Sequence, residues 1–184
     1  MSHYLLGVTG ASGAIYAART LHYLQKSGHF VSLIMTDAGK DVADYEGQRE
    51  ELFKADEILD VKDFFASCAS GSSAFAGMAV VPCSMGTLGK MANGVADNLL
   101  TRAADVCLKE RRKLVIVPRE MPYNWIHLKN MEQLTLAGAV VIPASPHFYA
   151  KPQTVEALAD TVVAKILNHL DVPNAIVPEW GSNK

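Results

Sequence analysis

Short β-branched runs alternate with longer helical stretches along this chain, and that alternation restricts the fold more than any other feature. Apolar runs stand at residues 4–9, 30–35, 78–81, 113–117 and 139–142. Residues 14–25, 37–45 and 97–111 read as helices, the second of them short, and residues 48–55 are a further candidate. The clearest helix comes last. Val155, Leu158, Ala159, Val162, Val163, Ile166 and Leu167 recur at i, i+3, i+4, i+7, i+8, i+11 and i+12, making one broad apolar face. Strands alternating with helices predict a parallel sheet covered on both faces, the doubly wound α/β class with right-handed crossovers. A length of 184 residues suits one domain, over 1–170, trailed by an arm over 171–184 that carries Pro173, Pro178 and Trp180.

Composition excludes several classes. Lys plus Arg is 17 against 19 for Asp plus Glu, a formal charge of −2, so no electrostatic footprint for nucleic acid is expected. An apolar share of 49% can build a core without disulfides. No basic leader before an apolar stretch is seen, and no apolar run approaches bilayer length. Cys68, Cys83 and Cys107 form no C-x-x-C pair, which predicts reduced thiols in a cytoplasmic protein. The histidines show no metal-ligand spacing, so no metal is expected.

Three strands finish alike, at Pro82, Pro118 and Pro143. Proline has no N–H to give a central ladder, so each pairing is expected to stop there. Cys83-Ser84-Met85-Gly86-Thr87, Arg119-Glu120 and Ala144-Ser145-Pro146-His147 then follow. Ligands bind outside the carboxyl ends of parallel strands, so these segments should converge on one site. The first strand runs into Gly7-Val8-Thr9-Gly10-Ala11-Ser12-Gly13-Ala14. Its small residues let a ligand approach a helix start, where partial positive charge suits an anion. Ser12 could equally be a plain helix N-cap. Asp37, soon after the second strand, keeps a dinucleotide reading open. Asp97 is placed to cap the helix that carries Arg102, Asp105 and Lys109 at i, i+3 and i+7. Spacing alone favours a solvated salt-bridged face there, with two cations aimed at an anion as the other reading.

Taken together, Thr9-Gly10-Ala11-Ser12-Gly13-Ala14, residues 69–74, 82–88, 102–106 and 108–112, Val117-Pro118-Arg119-Glu120 and Phe148-Tyr149 resemble the UbiX-type flavin prenyltransferases. The match runs in order over nearly the whole chain. The resemblance implies a flavodoxin-like, Rossmann-like three-layer sandwich, commonly assembled as a homododecamer. It implies transfer of a dimethylallyl group from dimethylallyl phosphate to reduced FMN, giving prenylated FMN for UbiD-type decarboxylases. By matching position, Gly10, Ala11, Ser12, Thr36, Ser84, Met85, Gly86, Thr87 and Arg119 resemble the FMN-binding residues. Tyr149 and Lys165 match positions that hold the prenyl phosphate, and arginine is frequent in place of Lys165. Ser70, Arg102 and Lys109 resemble further phosphate contacts supplied across subunit boundaries. Phe64 falls where an aromatic covers the prenyl group. Glu46 and Glu120 are the acid–base candidates, with Ser12 relaying or orienting, and Glu120 is favoured for the proton leaving flavin C6.

Rival readings remain at this level. An FMN-dependent cysteine-type decarboxylase of the same fold class would want a histidine after the second strand, where Met35-Thr36-Asp37-Ala38-Gly39 has none. A nicotinamide reductase would use the Gly-rich turn with Asp37. A flavin carrier would bind FMN without catalysis.

Overall fold

A computed structural model of the chain describes residues 1–178 and 181. Among these residues six strands form one sheet: β1 (His3–Val8), β2 (Phe30–Met35), β3 (Glu57–Leu59), β4 (Gly77–Cys83), β5 (Lys113–Pro118) and β6 (Val140–Val141). Every pairing is parallel, in the order β3-β2-β1-β4-β5-β6. The connections are α1 (Ala14–Lys26), α2 (Asp37–Tyr45), α3 (Arg49–Leu52), α4 (Met85–Ala92), α5 (Leu99–Lys109) and α6 (Trp125–Leu136), and α7 (Val155–His169) follows β6. This is the doubly wound order, with its switch point between β1 and β4. Without the short edge strand β3 it is the flavodoxin-like order.

Side chains alternate along the central strands and so feed two cores. Tyr4, Leu6 and Val8 of β1 pack with Ala17, Leu21 and Leu24 of α1 and with Val163, Ile166 and Leu167 of α7. Leu5 of the same strand packs with Leu88 of α4 and Leu100 and Ala104 of α5. β5 divides likewise, with Val115 and Val117 on the first side and Leu114 and Ile116 on the second. Each fully buried aliphatic side chain contributes about 1.5–3 kcal/mol, so these alternating rows set the three-layer arrangement. The apolar face read for the last helix is largely the face that α7 buries, Val155 excepted, which is exposed at the helix start. A bidentate ion pair joins α7 to α1: Arg19 donates from Nε and Nη2 to Asp160 at 2.7 and 2.6 Å. Beyond α7, Val172 is buried in the first core and Ile176 packs against it. Trp180, read as part of a contact arm, lies outside the described residues.

Two expectations need correction. β4 does not stop at Pro82. Its register shifts between Val80 and Cys83, and pairing resumes between Cys83 and Pro118. The missing N–H interrupts the ladder without ending the strand. Asp97 is not the cap of α5, which ends at Lys109 rather than near Arg111. Asn98 accepts from the Thr101 N–H at 3.0 Å in a capping box, while Asp97 pairs with Lys90. The segment after Ser84 forms helix α4, which was not among the helices expected.

Candidate active site

The switch point places the starts of α1, α2 and α4 on one rim, at the carboxyl ends of β1, β2 and β4. The turn after β1 ends at Gly13, whose φ of 109° suits a residue without Cβ. Gly13 holds the N-cap position of α1 with no side-chain cap, so Ser12 is not that cap. Glu46 takes over the work. Its carboxylate accepts from Gly13 N–H at 3.0 Å and from Ala14 N–H at 2.7 Å. A carboxylate is favoured there by the helix dipole and by otherwise orphaned donors. The fold thus carries Glu46 from beyond α2 to the side of Ser12. From the far side Arg119 donates through Nε to the Ser12 carbonyl at 3.1 Å.

Thr9 fastens the neighbouring strand end. Its hydroxyl donates to the Pro82 carbonyl at 2.9 Å and accepts from Ser84 N–H at 2.7 Å. Ser84 caps α4 by accepting from Thr87 N–H, and its hydroxyl lies 3.1 Å from that of Thr87. Thr36 caps α2 by accepting from Gly39 N–H at 3.0 Å, which leaves its own O–H free to donate elsewhere. A Cβ built on Gly86 would meet nothing within 4 Å, so the first turn of α4 is open to an approaching group. Hydroxyls, helix starts and one guanidinium on an open rim suit the phosphate and ribityl chain of the flavin nucleotide expected from the resemblance.

Beside this rim lies a cleft of about 390 Å³, lined by Pro118, Arg119, Glu120, Tyr123, Ala144 and Ser145. Ala144 N–H donates to the Pro118 carbonyl at 3.0 Å, holding the third strand end against the second. All three strand-end segments therefore meet, as their punctuation predicts. Glu120 is exposed at the cleft and accepts from the Met121 N–H at 3.0 Å. On the loop between β6 and α7, Tyr149 stacks on His147 with ring centroids 4.0 Å apart and planes at 4°. Burial lowers the pKa of His147, and the charge of Lys165 lowers it further. His147 was legible only as a member of the segment after Pro143; nothing in the sequence announced the stack.

Ser70, Arg102 and Lys109 form a separate cluster. Arg102 pairs with Asp105 at 2.7 Å and donates to the Ala69 carbonyl at 3.0 Å, so the salt-bridged reading holds for that pair. Lys109 pairs with Glu110 next to Gly71, at the end of α5 where the chain turns into β5. That end faces the amino edge of the sheet, opposite the rim. Phe64 is exposed as well. Burial pushes the thiols of Cys68 and Cys107 up to about 11 and about 12, and raises Cys83 too, so none is a ready nucleophile.

A rim of this kind on this sheet defines the nucleotide-binding class of doubly wound α/β proteins, and a family model described as Flavoprotein matches residues 1–177. Flavin prenyltransferase UbiX of Methanothermobacter thermautotrophicus is 46% identical over 181 residues, which cover 96% of this chain and 94% of that protein. The chain belongs to the UbiX flavin prenyltransferase family. Among solved structures, AnUbiX in complex with FMN and dimethylallyl pyrophosphate superposes with a TM-score of 0.93 at 37% identity, covering 98% of both chains. A dodecameric FMN-dependent UbiX-like decarboxylase from Escherichia coli O157:H7 gives 0.93 at 38% identity, covering 98% of this chain and 100% of the other. Among the described residues no helix is long and apolar enough to cross a membrane.

Proposed function

We propose that this chain joins a dimethylallyl group from dimethylallyl phosphate to N5 and C6 of reduced FMN, releasing phosphate and yielding prenylated FMN. The observation that carries the reading is the Arg119–Ser12 bond, which brings the Gly-rich turn, Glu46 and the Glu120 strand end into one patch. Gly10, Ala11, Ser12, Thr36, Arg119 and residues 84–87 hold the nucleotide. Tyr149 and Lys165 hold the prenyl phosphate and stabilise charge as its C1–O bond breaks and phosphate leaves with the electron pair. Reduced flavin supplies the nucleophilic nitrogen and the ring carbon that receive the two new bonds. Ring closure breaks the prenyl C2=C3 π bond: Glu46, fixed by two peptide N–H groups beside Ser12, delivers the proton that C2 gains as C3 bonds to C6, and Glu120 accepts the proton that leaves C6. Glu120→Gln should therefore stall ring closure with a singly attached product accumulating; closure at the parent rate would reassign the step.

Ser70, Arg102 and Lys109 complete the phosphate site from a neighbouring copy in a homo-oligomer, a dodecamer in this reading. Prenylated FMN then passes to a UbiD-type decarboxylase. Reduced thiols suit a cytoplasmic setting.

The test is direct. Purified protein is mixed anaerobically with reduced FMN and either dimethylallyl phosphate or its diphosphate, and free phosphate and flavin mass are followed. The proposal expects phosphate release in step with a flavin heavier by one prenyl group. Unchanged flavin mass and no phosphate from either donor would leave a flavin carrier as the better description.

A further inference from the structure

We propose that His147 is a positioning residue for the phosphate end of this site, holding the Tyr149 ring in place. The inference rests on the assignment of Tyr149 and Lys165 to the prenyl phosphate.

Tyr149 is 44% exposed, so burial alone does not orient it. Its ring instead lies parallel to the imidazole of His147 at 4.0 Å. His147 is itself anchored. Its N–H donates to the Thr161 hydroxyl at 3.3 Å, and that hydroxyl donates to the Leu158 carbonyl at 2.7 Å on α7. Pro143, Pro146 and Pro152 stiffen the loop that carries both rings. Lys165 sits one helical turn beyond Thr161, on the same side of α7. One helix therefore sets the lysine directly and the tyrosine through the histidine.

The chemistry of the imidazole fits the task. Nδ1 is buried without a hydrogen-bond partner, so the ring contributes a flat surface there rather than a hydrogen-bonded polar group. Burial and the lysine both favour its neutral form. A neutral ring adds no repulsion to Lys165 and leaves the ammonium as the charge that meets the phosphate. The stack pre-organises the phenol before substrate arrives, which lowers the entropic cost of binding.

Steady-state kinetics of the flavin-loaded protein test this. A stack of this kind corresponds to roughly a three- to tenfold change in binding. His147→Ala and the ring-free, bulkier His147→Leu should raise KM for dimethylallyl phosphate by roughly three- to tenfold, with a smaller change in kcat. FMN affinity should stay at the parent value. His147→Phe, which restores an aromatic face, should bring KM back. A parent KM in His147→Leu would overturn the proposal. So would a KM defect shared by His147→Phe and accompanied by loss of FMN binding, the mark of a general folding role. A parent KM in Tyr149→Ala has a different meaning: it removes the substrate assignment beneath the proposal, and the proposal with it.

Discussion

The strand-end rim and the α5 cluster both gather polar groups, but they balance them differently. On the rim, partners come from segments far apart in the chain: Arg119 reaches Ser12, Glu46 reaches Gly13 and Thr9 reaches Pro82. On α5, cations are neutralised close by, Lys109 by Glu110 and Arg102 by Asp105. The first arrangement is fixed by the fold and stays open toward solvent. The second is charge-balanced and can act on a phosphate only by changing partners. That exchange is cheap. An exposed ion pair is worth about 0–1 kcal/mol, whereas a hydrogen bond to a charged group is worth about 1.5–3 kcal/mol. A phosphate presented by a neighbouring copy would therefore draw Lys109 away from Glu110. In the proposed function the rim supplies one half of a site and the α5 face the other half, offered outward.

The strongest way to break that contrast is complementation. Glu46→Gln removes the proposed acid–base group and Lys109→Met removes a proposed phosphate cation. Each should lower prenylation by about a hundredfold or more, within the range of general acid–base and oxyanion-type contributions. If the two halves meet between copies, assemblies refolded from a mixture of the two variants regain activity, because some sites receive both parent residues. No recovery on mixing would mean that Glu46 and Lys109 do not meet between copies.

Arg119 sharpens the comparison next, because its guanidinium bonds a carbonyl rather than a carboxylate, which leaves its charge for the nucleotide of the proposed function. Arg119→Met should weaken FMN binding by roughly ten- to a hundredfold, as expected for losing a charge-assisted contact. Flavin fluorescence titration measures it. Parent affinity would remove Arg119 from the nucleotide site.

Sequence reading and structure agree where a periodic signal was strong and part where geometry alone decides. β1, β2, β5 and α7 were legible because their apolar residues repeat at the spacing of the element that buries them. α4 was hidden because Gly86 and Gly89 lower helix propensity in a short segment. α6 buries little beyond Leu134, so no apolar stripe announced it, and β3 is a three-residue edge strand with exposed side chains. In the site, Arg119 and Glu120 were visible from their place after a strand and a proline. The capping of α1 by Glu46 was not, because no local pattern shows a carboxylate crossing from beyond α2 to Gly13. Nor could spacing show that the Lys109 charge is already paired, since its partner is the adjacent residue rather than one helical turn away.

A smaller effect isolates burial from charge. The Arg19–Asp160 pair has side chains only 27% and 10% exposed, whereas those of Lys109 and Glu110 are 44% and 38% exposed. Asp160→Asn leaves Arg19 partly buried without its counter-charge. The expected cost is about 1–3 kcal/mol, below the full value for a buried pair because the arginine still touches water. Glu110→Gln should cost less, because both members of its pair face solvent. Urea midpoints at unchanged slope report both. Equal losses would mean that burial does not separate the two kinds of pair.

The finest test uses histidines at the two edges of the sheet. His3 and His29 lie at the amino edge, where β1 and β2 begin, and His147 lies near the carboxyl rim. Burial lowers the pKa of all three from the ordinary value of 6.5; the N-terminal amine adds to the effect at His29 and Lys165 adds to it at His147. The unfolded chain therefore binds protons first as pH falls through 6.5, and the folded state loses stability on the acid side of that value. Melting temperature should fall between pH 7.5 and 5.5. Inorganic phosphate, held between Tyr149 and Lys165, would offset the lysine charge and return His147 toward its ordinary value. Its share of the slope should then shrink relative to chloride at equal ionic strength, with the part due to burial remaining, while the shares of His3 and His29 persist. A slope that phosphate leaves untouched would mean that no anion settles beside Lys165; one that it abolishes would mean that the amino-edge histidines contribute nothing.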